Sequence, residues 1–401
     1  MSLPDFGKAI RFFQFGYRAY RPRFTELKYD RLARRNRLFR GPCSIVNETL
    51  GLRSDLTALI STGTGLLLMR DGKLYKIFDS IGNMFGMTII ADRVYLLHVI
   101  QSEGNYKHSE ETYRRSEIYS VALADVLSIQ PGQHLEMRRE LSETRVLYAY
   151  CNAYDGRLYA VDYLGRLSVF GVDADGRLDH EGARHVMINR HLDGSPLRYY
   201  AYTHFNSVSI TGDKIILGAH GRKAHSGQFS GVHTISHDLD PASIRHIPTP
   251  YVHAHDMMIA DGDFYACDSR NGVLIRNGDK FFVDHGGFMR GLSVLEDGYL
   301  VGQSVKSDVR ADRNRQSASG NQITHVGRNG EVLAKANLFG SQVYNILVLS
   351  EPDLTVSSLA PADKSAVAPD IAERLARSAS RDVVIYYEGE TPPFHQRIGE
   401  Y

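Results

Sequence analysis

The chain has 401 residues, 43% of them apolar and 23% charged, with a formal net charge of +1. These are the proportions of a folded globular protein, and so even a balance excludes bulk electrostatic attraction to nucleic acid or to a membrane. Three cysteines (Cys43, Cys151, Cys267), odd in number and without C-x-x-C spacing, make neither a disulfide framework nor a structural zinc site. The start of the sequence shows no signal-peptide pattern, and no run approaches the ~20 apolar residues of a spanning helix, so a cytoplasmic location is expected.

Residues 1–42 read as a basic, aromatic arm. Eleven Lys and Arg lie from Lys8 to Arg40 against Glu26 and Asp30. Aromatic residues, among them Phe12, Phe13, Tyr17, Tyr20 and Phe24, are interleaved with them. Residues 8–40 could meet an anionic surface such as lipid headgroups or acidic glycan. They could equally form short amphipathic helices that pack their rings on the main domain and leave the arginines in water, a reading favoured by the acids elsewhere in the chain. No nucleic-acid partner is expected.

From Cys43 to Pro352 the texture is β-rich. Short apolar runs are divided by Asp71-Gly72, Asp155-Gly156, Asp261-Gly262, Asn277-Gly278 and Asn329-Gly330, which are hairpin signals. No convincing helical periodicity interrupts them. The runs repeat in units near 43–81, 82–142, 143–186, 200–249, 250–286 and 287–339. Units of this length with four strands each define an all-β fold, a β-propeller of six blades, with five or seven as alternatives. The run Val343–Leu349 has no second hairpin after it and is expected to complete the first blade and close the ring. Residues 353–401 form a C-terminal extension with one surface helix over 362–380, whose apolar face holds Ile371, Leu375 and Ala376.

Twelve of the 17 histidines lie between His180 and His285. In a propeller the first strand of each blade lines the central channel, so residues at its start converge on one face. Aligning the units on their first turns brings Tyr150 or Asn152, His204, Asn206, His255, Asp256, Arg290 and Asn345 to that ring, with Met87 in the second blade. Three long insertions, 101–116, 219–231 and 306–321, should rise over the same face. Loops of that length in compact domains are usually functional or disordered.

Imidazole is suited both to proton transfer near neutral pH and to metal binding. His253-Ala254-His255 places two imidazoles on one side of a strand, which serves either two ligands of one ion or two hydrogen-bonded residues at a strand start. His204, Asn206, His255 and Asp256 are the candidate ligands of a divalent cation (Ca, Mn or Zn). His220 and His285 are the candidate acids or bases. Arg290 either clamps an anionic substrate group or pairs with Asp256 as a structural bridge. The sequence carries no P-loop, no G-x-G-x-x-G after a strand, no H-E-x-x-H and no G-x-S-x-G, and it has no tryptophan, which excludes WD-type repeats.

Phe205-Asn206-Ser207-Val208-Ser209-Ile210 and His255-Asp256-Met257-Met258-Ile259-Ala260-Asp261-Gly262 resemble strand starts of the regucalcin/gluconolactonase and strictosidine-synthase group, over residues 200–300 only. The resemblance implies a six-bladed propeller with a divalent cation on its axis, held by an Asn, an Asp and a first-blade Glu. Asn206 and Asp256 match the first two positions. Ser207 and Met257 stand where that group has glycine, and Glu48 is a poor match for the third ligand. The expectation is an enzyme acting on a small polar molecule, carbohydrate-like or anionic, at the top of the channel, by metal-assisted hydrolysis or by elimination. The alternative is a propeller that binds a ligand or partner without chemistry.

Overall fold

A computed structural model of the chain describes residues 39–350 except 81, 102–113, 145, 164, 189–203, 221–230, 250, 252, 285, 306–320 and 339–341. The basic arm up to residue 38, the tips of the three long insertions, His285 and the C-terminal extension lie outside the described residues.

Six antiparallel sheets follow one another along the chain. The inner strands of blades two to six are Asn83–Ile90, Tyr148–Tyr154, Phe205–Ile210, His255–Ala260 and Gly287–Val294, and each opens a four-stranded meander. Blade one takes Thr57–Thr62, Gly65–Arg70 and Lys73–Ser80 from the start of the domain and its innermost strand, Val343–Ser350, from the end. That strand pairs antiparallel with Thr57–Thr62, so the ring closes as the leftover run predicts. Two short strands, Phe39–Arg40 and Ser44–Asn47, pair with the outer strand Lys73–Ser80 and cover that edge. The inner strands contact one another in sequence around the axis, the last meeting the first.

The hairpin signals form as read. At Asp71-Gly72, Asp155-Gly156, Asp261-Gly262 and Asn277-Gly278 both residues have positive φ, the conformation of a type I′ turn, which only glycine and short polar residues adopt cheaply. Strands near the axis are buried on both faces because each sheet is covered by the next. Thr57–Thr62 and Phe205–Ile210 are buried at every position, whereas the outer strand Leu178–Met187 is mostly exposed. Six apolar clusters fill the six gaps between sheets. Between blades one and two, for example, Leu59, Leu66 and Leu68 pack on Met84, Met87 and Leu96. Met87 therefore belongs to this cluster and not to the channel. A bulge between Met84 and Met87 resets the alternation, so that Phe85 joins the cluster between blades two and three and Gly86 packs on the Tyr150–Cys151 backbone. Among the described residues one α-helix, α1 (Leu123–Ser128), and one 3-10 turn (Pro241–Ser243) interrupt the β structure. Helix α1 buries only Leu123 and Val126, too short a run for a helical period to show in the sequence.

Short polar side chains stitch every gap near the axis. The Ser61 hydroxyl donates to the Phe85 carbonyl (2.5 Å), and Ser116 links the Val146 carbonyl to the Tyr148 amide (both 2.9 Å). Asn152 donates to the Val208 carbonyl (3.1 Å), and Asn206 to the Ala254 carbonyl (2.8 Å). Gly291 donates its amide to Asp256 (2.8 Å), and the Ser293 hydroxyl donates to the Ile346 carbonyl (2.8 Å). Each bond satisfies a backbone group of the neighbouring blade, and two of those groups, the Phe85 carbonyl and the Gly291 amide, lie within bulges.

A larger network ties blades one and two. Ser80 Oγ lies 2.8 Å from His98 Nε2, and His98 Nδ1 lies 3.4 Å from Glu117, with both His98 and Glu117 fully buried. Glu117 also takes Arg115 (2.8 Å), Arg139 (3.4 Å) and the Tyr119 hydroxyl (2.8 Å). Burial alone would raise the Glu117 pKa, but the bonds from His98 and Tyr119 and the charge of Arg115 outweigh it and hold it at about 2. Its contribution is thus complete above the ordinary carboxylate range and is lost only as pH falls through about 2. Glu117→Gln takes the counter-charge from the buried Arg115 guanidinium and should cost about 3–5 kcal/mol. A lowered denaturant midpoint at pH 7 checks this, and the deficit should persist at pH 5.

Candidate functional site

Every inner strand carries a bulge near its start. The irregularities fall between Val343 and Asn345, Met84 and Met87, Tyr148 and Tyr150, Phe205 and Ser207, His255 and Met258, and Arg290 and Leu292. Bulges re-aim side chains, and six at one level turn a set of them toward the axis. At this end of the channel His204, His253 and Asp256 have left-handed backbones, with φ of 38°, 53° and 51°. Outside hairpin turns such a conformation costs on the order of 1–3 kcal/mol for a residue with a side chain, and it concentrates at functional sites.

The side chains so placed form a closed circuit around the axis. Tyr163 of blade three meets His204 edge-on (ring centroids 4.0 Å apart), and His204 stacks on His220 (4.5 Å). His220 stacks on His253 (4.4 Å) and meets His255 edge-on (4.8 Å). His255 packs against Phe288 (5.4 Å), and the Arg290 guanidinium lies over both Phe288 (4.7 Å) and Tyr344 (5.2 Å). Tyr344 meets Phe85 (4.4 Å), and Phe85 returns to Tyr163 (5.9 Å). All six blades contribute. Half of the circuit is imidazole and half is aromatic hydrocarbon with one guanidinium.

His255 is held neutral. Its pKa is pushed well below the usual histidine value by burial first, then by Arg290, His220 and His204. Nδ1 lies 2.8 Å from the His253 carbonyl and 2.8 Å from the Ser269 hydroxyl. A carbonyl can only accept, so Nδ1 carries the hydrogen and Nε2 keeps its lone pair. That is the state of a base.

Arg290 is half-buried, and its only side-chain bond among the described residues is a long one to Gln342 (3.5 Å). Its Nε is buried without a partner, and no carboxylate of the described residues lies within ion-pair distance. The structural bridge to Asp256 is therefore not made. Asp256, 1% exposed, instead accepts the Gly291 and Leu292 amides. Burial raises its pKa to about 7 against the lowering effects of those amides and Arg290. Two further groups complete this layer. Asn345 Oδ1, on a residue 3% exposed, is buried without a hydrogen-bond partner. Burial and the neighbouring Asp256 raise the Tyr150 pKa, which keeps its hydroxyl protonated.

Of the residues singled out from sequence, His204, Asn206, His220, His255, Asp256 and Arg290 all reach this end of the channel, joined by Tyr150 and Asn345. As placed, they do not form a coordination sphere. Among the described residues no three His, Cys, Asp or Glu side chains converge closely enough to hold an ion. Stacked rings explain this for the imidazoles. At interplanar angles of 17° and 22° their lone pairs lie in nearly parallel planes and cannot meet at a point about 2 Å from each nitrogen. Asn206 and Asp256 spend bonds on the neighbouring blades. Sequence reasoning missed Phe85, Tyr163, Phe288 and Tyr344. The signal for two of them was positional, since Phe85 and Tyr344 stand within the bulges of their own strands.

The fold and its axial groups define a six-bladed β-propeller with a polar, imidazole-rich channel end. No family model and no curated protein matches the sequence. Among solved structures the chain is similar to the periplasmic gluconolactonase PpgL of Pseudomonas aeruginosa, at 12% identity and a TM-score of 0.44, over 74% of this chain and 99% of that one. It is also similar to the WD40 propeller domain of Doa1, at 11% identity and a TM-score of 0.41, over 77% of this chain and 94% of that one. Glutaminyl cyclase of Myxococcus xanthus matches at 15% identity and a TM-score of 0.29, over 56% of this chain and 93% of that one. Blade number and closure rest on this chain's own strand pairing.

The tautomer of His255 is directly observable. Nitrogen NMR of the histidine-labelled protein should show a neutral ring with hydrogen on Nδ1 from pH 8 down to 5.5. Protonation near the ordinary histidine value would contradict the burial described above.

Proposed function

We propose that the protein binds a small anionic molecule at the histidine-lined end of the channel and moves a proton on it. One observation carries this reading: a half-buried guanidinium, braced between two rings and without an acidic partner among the described residues, lies beside an imidazole held neutral. A buried arginine needs a counter-charge, and a ligand carboxylate or phosphate supplies one with paired, directional bonds. His255 Nε2 would accept the proton and His220, stacked against the same cluster, would relay it. Hydrolysis of an activated ester or lactone and elimination beside a carboxylate both need a base and an anion clamp in this arrangement. A carbohydrate acid is one ligand of that class.

A second reading retains the divalent cation. Four imidazoles, His204, His220, His253 and His255, gather at one place, and rotation out of their stacks would let some of them converge with Asp256 on an ion. A bound cation would polarise a carbonyl or lower the pKa of water. A cytoplasmic location and an anionic-surface role for residues 8–40 are further proposals that the site does not bear on.

Thermal-shift screening against carboxylates, sugar acids and phosphate esters, with and without Zn²⁺, Mn²⁺ and Ca²⁺, separates these readings. Arg290→Gln should weaken binding of the best anion by about 10- to 100-fold, the worth of a charge-assisted pair. His255→Asn keeps the bond to the His253 carbonyl and should leave affinity within a few-fold while lowering turnover by about 10²–10⁴. Retained turnover in His255→Asn removes the base. Stabilisation by metal alone, lost in His255→Asn, favours the cation reading. Binding without turnover of any hit leaves a binding propeller.

A further inference from the structure

We propose that Ser80, His98 and Glu117 form a second reactive site, in which the Ser80 hydroxyl takes the acyl group of a small activated carboxylic ester. It stands apart from the channel-end site and does not depend on the anion-binding reading.

The three side chains come from three strands. Ser80 ends the outer strand of blade one, Lys73–Ser80, while His98 and Glu117 are cross-strand partners in Arg93–Gln101 and Arg114–Ala122 of blade two. His98 also pairs with Met84, one residue before the Phe85 of the aromatic circuit, so the line runs beside the same end of the ring. Ser80 Oγ lies 2.8 Å from His98 Nε2, and His98 Nδ1 lies 3.4 Å from Glu117 Oε2. A hydroxyl on one imidazole nitrogen and a carboxylate on the other is the order nucleophile, base, orienting group. The second distance is long, as such contacts often are before a substrate binds. His98 and Glu117 are fully buried, and Ser80, half-buried, is the member of the line with access to solvent.

The surrounding bonds fix the direction of each hydrogen. Glu117 Oε2 takes the Tyr119 hydroxyl (2.8 Å), and Oε1 takes Arg115 (2.8 Å) and Arg139 (3.4 Å). A carboxylate so surrounded stays ionised and can only accept, so in the neutral ring His98 Nδ1 carries the hydrogen and Nε2 presents a lone pair. The Gly82 amide donates to Ser80 Oγ (3.0 Å), which leaves the hydroxyl hydrogen for Nε2. Gly82 takes one lone pair of Oγ, and the other has no donor among the described residues. That second lone pair is the one a nucleophile uses. Glycine at 82 lets the chain lie close against the base, since a Cβ there would come within 2.5 Å of Nε2.

The reaction balances with water as its only co-reactant. Oγ forms a bond to the ester carbonyl carbon while its proton passes to Nε2. The bond from that carbon to the leaving oxygen breaks, and the leaving oxygen takes the proton from Nε2. Water then adds to the acyl carbon and gives a proton to Nε2. The bond to Oγ breaks, and Oγ recovers that proton. An ester and water have become an acid and an alcohol. A leaving group that is stable as an anion, such as a phenolate, suits this site because it lowers the demand for oxyanion stabilisation. A small acyl group suits a half-buried nucleophile.

Labelling of the full chain with a fluorophosphonate tests the proposal. The serine oxygen displaces fluoride and forms an O–P bond, which peptide mass spectrometry locates. The adduct should sit on Ser80 and vanish in Ser80→Ala. Base assistance is worth about 10²–10⁴-fold, so His98→Gln should slow labelling by at least about 100-fold. With p-nitrophenyl acetate, the unaltered protein should release a burst of about one nitrophenolate per chain, and Ser80→Ala should release none. Ser80→Cys keeps the question open to measurement where His98→Gln fails to fold. At pH 6 the new thiol should displace iodide from iodoacetamide at least about tenfold faster than free cysteine does, because His98 draws off its proton. Cys43, Cys151 and Cys267 are buried, and the unaltered protein measures their background. Folded protein unlabelled at Ser80, labelling as fast in folded His98→Gln, or a thiol at position 80 no more reactive than free cysteine overturns the second site.

Discussion

The ring depends on one pairing. Val343–Ser350 joins Thr57–Thr62 from the far end of the domain, and with it blade one acquires its innermost strand. Without that strand the sheet would present an open edge, and the axis would lose Tyr344 and Asn345 together. Closure also fixes the distance between blades six and one, and so the position of Arg290 over Tyr344. The chemistry at the axis is thus coupled to a contact formed only when both termini of the domain are in place. Such long-range pairing is entropically costly to form and belongs to slow-folding β topologies.

The polar groups near the axis have two duties. Ser61, Ser116, Asn152, Asn206, Asp256 and Ser293 satisfy backbone groups across the gaps between blades. Some of the same residues face the channel. Asp256 illustrates the trade. Its amide bonds hold blade six against blade five, while its burial without a cation keeps its proton loosely bound near neutrality. A side chain can be structural at one oxygen and chemical at the other.

Much of the architecture was legible. Asp-Gly and Asn-Gly dipeptides marked hairpins because left-handed backbone is cheap there, and their spacing set the blade boundaries to within a few residues. His204, Asn206, His255, Asp256 and Arg290 were placed correctly at the axis because strand starts can be counted from those turns. What could not be counted was the slip within each inner strand. The bulge at Phe85–Gly86 sent Met87 into the cluster between blades one and two and Phe85 into the one between blades two and three. Nor does spacing reveal ring orientation, and the near-parallel stacking of the imidazoles could not be foreseen from it. Helix α1 and the buried Ser80–His98–Glu117 network left no pattern, one being too brief and the other assembled from three strands of two blades.

Two glycines stand at seams between blades. A methyl-sized branch at Gly86 would sit 2.6 Å from the Cys151 nitrogen and 2.8 Å from Tyr150 Cα. At Gly291, where φ is +70°, it would press 3.2 Å from the Asn345 carbonyl carbon. Blades two and three, and blades six and one, are spaced by a hydrogen atom at these points. A methyl group at either place would wedge two neighbouring blades apart, so how closely these inner strands approach is set where the chain carries no side chain at all.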